Sequence, residues 1–209
     1  MLFLQKSGCD VEPSHAREHF QLNLFIDAIE KIESKNPVML ELGVSKYPTY
    51  SIVFNDIFEN KCLNICTEVL KTSLQLASQR FPNGNFIHTY SGNPVHCQES
   101  QPSSDDLVGI QNISFKEILT KYGVRVIDML HVDIQGSEVS LLEEMENEGL
   151  LDKVDFLFLS VHPEVGDTFT LCKDILDRNI KDINYIYAHP SQGGYGDGLI
   201  CARLKNNVS

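Results

Sequence analysis

Apolar residues fall along this chain in two kinds of pattern: short continuous runs, and longer stretches in which they recur every three or four positions. The first kind suits strands covered on both faces, the second amphipathic helices. Strands are predicted over residues 38–43, 61–68, 85–90, 127–135, 154–162, 184–188 and 199–204. Between them, helical spacing predicts helices over 14–35, 48–58, 69–81, 113–122, 137–149 and 168–178. Ser14 is placed to cap the first helix and Asn36-Pro37 to stop it, while Pro48 suits a first turn. The alternation of strand and helix implies an open, twisted, mostly parallel sheet with helices on both faces. The last two runs, joined by a glycine-rich turn over 192–198, read as antiparallel neighbours.

One run organises the others. Ile127-Asp128-Met129-Leu130-His131-Val132-Asp133-Ile134-Gln135 begins apolar and gains a polar residue at every second position, then breaks at Gly136. Strand alternation puts His131 and Asp133 on the same side, and Ser137 is a competent helix N-cap. In open parallel sheets ligands gather beyond the carboxyl ends of the strands, so this edge is the first place to look for chemistry.

With 209 residues the chain is most simply a single structural domain, its residues 1–37 a helical segment packed on a domain of residues 38–209. A net charge of −12 argues against nucleic acid or an anionic membrane as partner. No apolar run approaches the roughly 18 residues that span a bilayer, and Met1-Leu2-Phe3-Leu4 lacks the basic start of a signal peptide. The six cysteines are scattered with no CxxC pair, which fits reduced thiols and a cytoplasmic location better than a zinc site.

Three strand ends form a constellation. Glu41-Leu42-Gly43 closes the first strand, where glycine lets a ligand approach and Ser45 lies in the loop that follows. Glu68 ends the second strand 25 residues after Gly43, near the spacing at which an acid meets the hydroxyls of a ribose. Ser91-Gly92, beyond the third strand, are placed to line an adenine pocket. The bulky Tyr47 and Pro48 make a poor pyrophosphate cradle, which disfavours NAD and favours a cofactor without phosphates.

Residues 126–138, followed by Leu141-Leu142, resemble the signature of the FkbM-type S-adenosylmethionine-dependent methyltransferases. Residues 113–119 are similar to that family's lead-in helix. Glu41-Leu42-Gly43 and Thr49-Tyr50-Ser51 look like its first motif, Glu68 its ribose-binding acid, and residues 156–162 its fifth strand. The chain departs from the family pattern in lacking a later glycine in the first loop and in carrying Val69 where proline is usual.

The resemblance implies a Rossmann-like class I methyltransferase fold with seven strands, the last antiparallel, and S-adenosyl-L-methionine as cofactor. It also implies methyl transfer to a hydroxyl of a small molecule or sugar. The cofactor's methyl is already activated, so the protein mainly aligns an acceptor oxygen and removes its proton. His131 or His162 is the expected base, with Asp133 orienting histidine, acceptor or cofactor amino group. Glu41, Gly43, Ser45, Glu68, Ser91 and Asp133 are the expected cofactor contacts.

Other readings compete. His131 is equally suited to the core. His131, Asp133 and His162 have the chemistry for a divalent metal, although carboxylates are few there and no metal is expected. The acids Glu138, Glu143, Glu144, Glu146 and Glu148 read as a solvated helix face, and residues 193–198 as a mobile loop or a lid over the acceptor. A methyltransferase-like module that has lost catalysis and serves in binding or assembly is the rival function.

Overall fold

A computed structural model describes residues 16–90, 110, 112–162, 167–190 and 198–204. Seven strands form one sheet: β1 (Val38–Leu42), β2 (Leu63–Glu68), β3 (Asn85–His88), β4 (Ile127–Val132), β5 (Val154–Val161), β6 (Asn184–His189) and β7 (Gly198–Arg203). Their order is β3-β2-β1-β4-β5-β7-β6, parallel from β3 to β5, with β7 antiparallel to both neighbours. The expected architecture, including the final antiparallel strand, is present. Ser14, Ser91 and most of the glycine-rich turn lie outside the described residues.

Among the described residues six α-helices cover the sheet: α1 (Ala16–Ile29), α2 (Thr49–Ile57), α3 (Lys71–Arg80), α4 (Phe115–Tyr122), α5 (Glu138–Asn147) and α6 (Thr168–Asn179). Strand alternation sorts the core into two faces. Leu40, Leu42, Leu130, Val132, Leu157 and Leu159 pack against apolar residues of α4, α5 and α6. Met39, Met129, Phe156 and Phe158 face the other way, against Phe25 and Ile29 of α1 and Val53 and Phe54 of α2. Burying each of these large side chains contributes about 1.5–3 kcal/mol.

Local signals explain several boundaries. Ser114 and Glu117 form a reciprocal capping box at the start of α4, and Gly123, left-handed at φ 65°, ends it. The Asp167 side chain accepts from the Thr170 amide to cap α6. Ser137 behaves differently from its sequence reading: it stands at the N-cap of α5 but makes no capping hydrogen bond with its side chain. That turn is closed instead by Glu138, which accepts from the Gly136 amide at 2.8 Å.

Among the described residues no helix is long and apolar enough to cross a membrane. Cys62, Cys66, Cys172 and Cys201 are free thiols.

Candidate active site

Strand order reverses direction between β1 and β4, which makes their carboxyl ends the switch point where an open α/β sheet leaves a crevice. Leu42 pairs with Val132, and the Asp133 amide extends the pairing by donating to the Leu42 carbonyl at 2.9 Å. Gly43 follows with φ +81°, and a Cβ built on it would sit 2.0 Å from the Asp133 carbonyl oxygen. The approach of β4's end is by itself enough to require glycine here, independently of any ligand.

The first loop is tied to the second strand. Both Gly43 and Val44 donate their amides to the Thr67 carbonyl, at 3.0 and 3.1 Å. Ser45, at φ 52°, donates its amide to Glu68 Oε2 at 2.6 Å, and the Leu70 amide donates to Glu68 Oε1 at 2.8 Å. Each carboxylate oxygen keeps a second lone pair, so Glu68 can still accept from ribose hydroxyls. It is nevertheless 6% exposed in this conformation. Beyond Ser45, the Arg80 guanidinium stacks 3.9 Å over the Tyr47 ring and donates to the Lys46 carbonyl, fixing the outer part of the loop.

Glu41 sits one step back from the rim. Its Oε2 accepts from the Ser51 amide at 3.0 Å and the Ser51 hydroxyl at 2.5 Å, at the start of α2. Burial pushes its carboxyl up to about 7, and the nearby Asp133 charge adds to the rise. The structure thus gives Glu41 to the joint between β1 and α2 rather than presenting it at the rim.

His131, its register partner on β4, departs further from the expected role. The ring is 2% exposed and stacks on Tyr50 with centroids 4.0 Å apart, flanked by Phe25 and Phe158. Neither ring nitrogen has a hydrogen-bond partner. The Glu41 carboxyl lies 3.6 Å away, a separation that would suggest an ion pair. Burial decides otherwise, because it pulls the imidazole down to about 3 and leaves both groups neutral near pH 6.

His162 has the opposite surroundings. It is the first residue beyond β5, with its side chain 13% exposed. Its Nδ1 lies 2.7 Å from Glu138 Oε1 and its Nε2 3.3 Å from Asp133 Oδ1. Asp133 is partly open to solvent and Glu138 fully buried. Glu138 was missed in the sequence because four further acids along the same helix gave it the look of a solvated face. The usable signal was its position: it is the first residue of α5, facing the strand end that carries His162. Asp133 and His162 are thus brought together as expected, with His131 withdrawn into the core. Among the described residues no group of three or more His, Cys, Asp or Glu side chains is arranged to hold a metal ion.

No family model matches the sequence, and no curated protein matches it either. Solved structures do resemble the fold. The METTL16 methyltransferase domain is 11% identical at a TM-score of 0.54, over 91% of this chain and 68% of that one. Precorrin-6y C5,15-methyltransferase from Geobacter metallireducens is 12% identical, TM-score 0.52, over 88% of both chains. Magnesium protoporphyrin IX methyltransferase from Synechocystis, solved with bound S-adenosylmethionine, is 11% identical at 0.51, over 90% and 81%. The fold is that of the class I methyltransferases.

Proposed function

We propose that this protein is an S-adenosylmethionine-dependent O-methyltransferase of the FkbM type, acting in the cytoplasm on a hydroxyl of a small molecule or sugar. The observation that carries the reading is His162, held between two carboxylates beside the switch-point crevice. Transfer to a hydroxyl needs somewhere to put a proton, and an imidazole at the rim answers that need. When bound, S-adenosylmethionine supplies a methyl group already activated on sulfur. Glu68, with a lone pair free on each oxygen, would hold its ribose. The turn at Gly43 and Ser45 would carry the rest of the nucleoside, and Asp133 would orient its amino group or the acceptor. Tyr47, stacked under Arg80 in the outer part of the loop, is a bulky residue poorly suited to cradling a phosphate, and this cofactor carries none.

His162 Nε2 then receives the hydroxyl proton as the oxygen–carbon bond forms, and Asp133 stabilises the imidazolium that results. Glu41 and His131 form the floor beneath, shaping the crevice without touching the reacting atoms.

The near-complete burial of Glu68 favours one other reading, a methyltransferase-like module that no longer binds the cofactor and serves in assembly. Calorimetry with S-adenosylmethionine and S-adenosylhomocysteine separates the two. Binding is expected, with Glu68→Ala weakening it about 10- to 100-fold, the worth of charge-assisted hydrogen bonds. No heat of binding at millimolar cofactor would reject the enzyme, and unchanged affinity in the variant would show the ribose lies elsewhere. Turnover is then sought by mass spectrometry on a panel of phenols, sugars and hydroxylated acids.

A further inference from the structure

We infer that Glu41 is the counter-charge of the cofactor site: its buried carboxyl gives up a proton when S-adenosylmethionine is bound and regains one once the sulfonium has become a thioether. The inference deepens the methyltransferase reading and rests on it. Glu41 pairs in register with Cys66 of β2 and His131 of β4, in the row just below the turn at Gly43 and the end of β4. Each element packed against the carboxyl brings a group that is neutral or negative. From α2 come the Ser51 amide at 3.0 Å and hydroxyl at 2.5 Å, both donating to Oε2, with Tyr50 stacked on His131 beside them. From β2 comes the Cys66 thiol, 3.3 Å from the Ser51 hydroxyl and kept protonated by burial. From β4 comes His131, whose Nδ1 stands 3.6 Å from Oε1 and whose ring burial keeps neutral. The charge that acts on the carboxyl is that of Asp133, and it has the same sign.

Two influences therefore oppose each other at Glu41. The donors at the first turn of α2 favour the carboxylate, while burial and the neighbouring acid favour the protonated form and hold the group at about 7. Among the described residues no cation answers this carboxyl, so a unit of positive charge arriving in the crevice above it decides its state. S-adenosylmethionine carries that charge on sulfur, beside an ammonium and a carboxylate that cancel; S-adenosylhomocysteine keeps only the cancelling pair. As the sulfonium is bound, the Glu41 O–H bond breaks and the proton passes to water. After transfer the S–CH3 electron pair stays on sulfur, the charge is gone, and Glu41 takes a proton back from water. The site thus favours substrate over product by charge, and does so increasingly as pH rises towards 7.

Calorimetry in two buffers of different ionisation enthalpy counts the protons released on binding, with no acceptor and no turnover. Near pH 6 the expected release is about half a proton or more with S-adenosylmethionine and about 0.1 or less with S-adenosylhomocysteine. Between pH 5.5 and 7.5 the native affinity for the first ligand should rise about 5- to 10-fold relative to the second. Glu41→Gln, which keeps a carbonyl oxygen for Ser51, should lose the difference between the two ligands. His162→Gln should keep it, which separates Glu41 from the imidazole as the source of the proton. Infrared difference spectra of the ligand-free protein read the same group directly. A protonated buried carboxyl should be present at pH 6, gone at pH 8.5 and missing from Glu41→Gln.

Should Glu41→Gln fail to fold, the proton counts of the native protein and of His162→Gln, with the native infrared spectra, decide the matter. Equal proton counts for the two ligands overturn the inference, as does a native spectrum without a protonated carboxyl at pH 6. So does a difference that survives Glu41→Gln or vanishes in His162→Gln. In each of those cases both ligands still bind, and the methyltransferase reading stands. Binding of neither ligand sinks that reading and the inference together.

Discussion

β4 and β5 lie side by side, and each brings a histidine to the same end of the sheet, yet the two rings inhabit opposite environments. His131 is still inside the strand, in register with Glu41 and Phe158, and its ring is enclosed by Phe25, Tyr50 and Phe158 with both nitrogens unpartnered. His162 lies just past the last residue of β5, where the chain leaves the sheet and two carboxylates meet it. Four residues along the strand direction, about 13 Å at the usual rise, separate a core residue from one that stands at the rim between two carboxylates. The lesson is that residue type nominates candidates, and position relative to the strand end selects between them.

The largest effect that could break this contrast comes from exchanging the roles. His162→Gln should lower kcat about 10²- to 10⁴-fold while leaving S-adenosylhomocysteine affinity nearly unchanged. A substitution at His131 that preserves the fold should leave turnover within a few-fold. Steady-state kinetics on one active acceptor, with calorimetry beside it, makes the comparison. Full activity in His162→Gln would remove the base from the proposed mechanism, and loss confined to the His131 variant would reverse the assignment.

The next effect, about 3 kcal/mol, sharpens the buried side of the comparison through pH. The Glu41 carboxyl loses its proton near 4.5 in the unfolded chain and holds it to about 7 when folded. Between those values the native state binds more protons than the unfolded one. Its contribution is therefore intact at low pH and falls as pH rises through that window, by about 3 kcal/mol in all. His131 slopes the other way. Folding lowers its proton affinity from 6.5 to about 3, so its burial costs stability at low pH and that cost disappears as pH rises to 6.5. The two slopes oppose each other between 4.5 and 6.5. Glu41→Gln, which keeps an acceptor for Ser51, should therefore become more stable relative to the native protein as pH rises from 4.5 to 7. Urea midpoints across that range measure it, and parallel curves for the two proteins would show that Glu41 ionises freely.

Much of this was legible in the sequence because it depends on local signals. Apolar runs and helical spacing match the seven strands and six helices of the described residues, and the shift from apolar to alternating pattern marks the end of β4 as a candidate site. Asp133 and His162 were nominated because each stands where a strand gives out. What the sequence could not carry was long-range pairing. Nothing local says that Glu138 reaches a residue 24 positions away, since its spacing is equally that of a solvated helix. Nor does a glycine reveal which atom comes too close for a Cβ, and at Gly43 that atom belongs to Asp133. Ser45 and Glu68 were each assigned to the cofactor, and their hydrogen bond to one another emerged only when β1 and β2 were laid together.

The smallest effect is also the most direct test of the aromatic cage. His131→Leu removes two buried nitrogens that have no partner, a relief of about 1–3 kcal/mol. It also gives up the stacking on Tyr50, a loss of about 0.5–1.5 kcal/mol. Leucine is close enough in volume to avoid serious overpacking against Phe25 and Phe158. The balance is a gain near 1 kcal/mol, which in a domain of this size raises Tm by about 2–4 °C. Calorimetric melting near pH 8, where the imidazole is neutral in both folded and unfolded chains, isolates the desolvation from the ionisation discussed above. A Tm lowered by several degrees would mean that the ring is held by a hydrogen-bond partner in solution, and the division of labour between the two histidines would have to be redrawn.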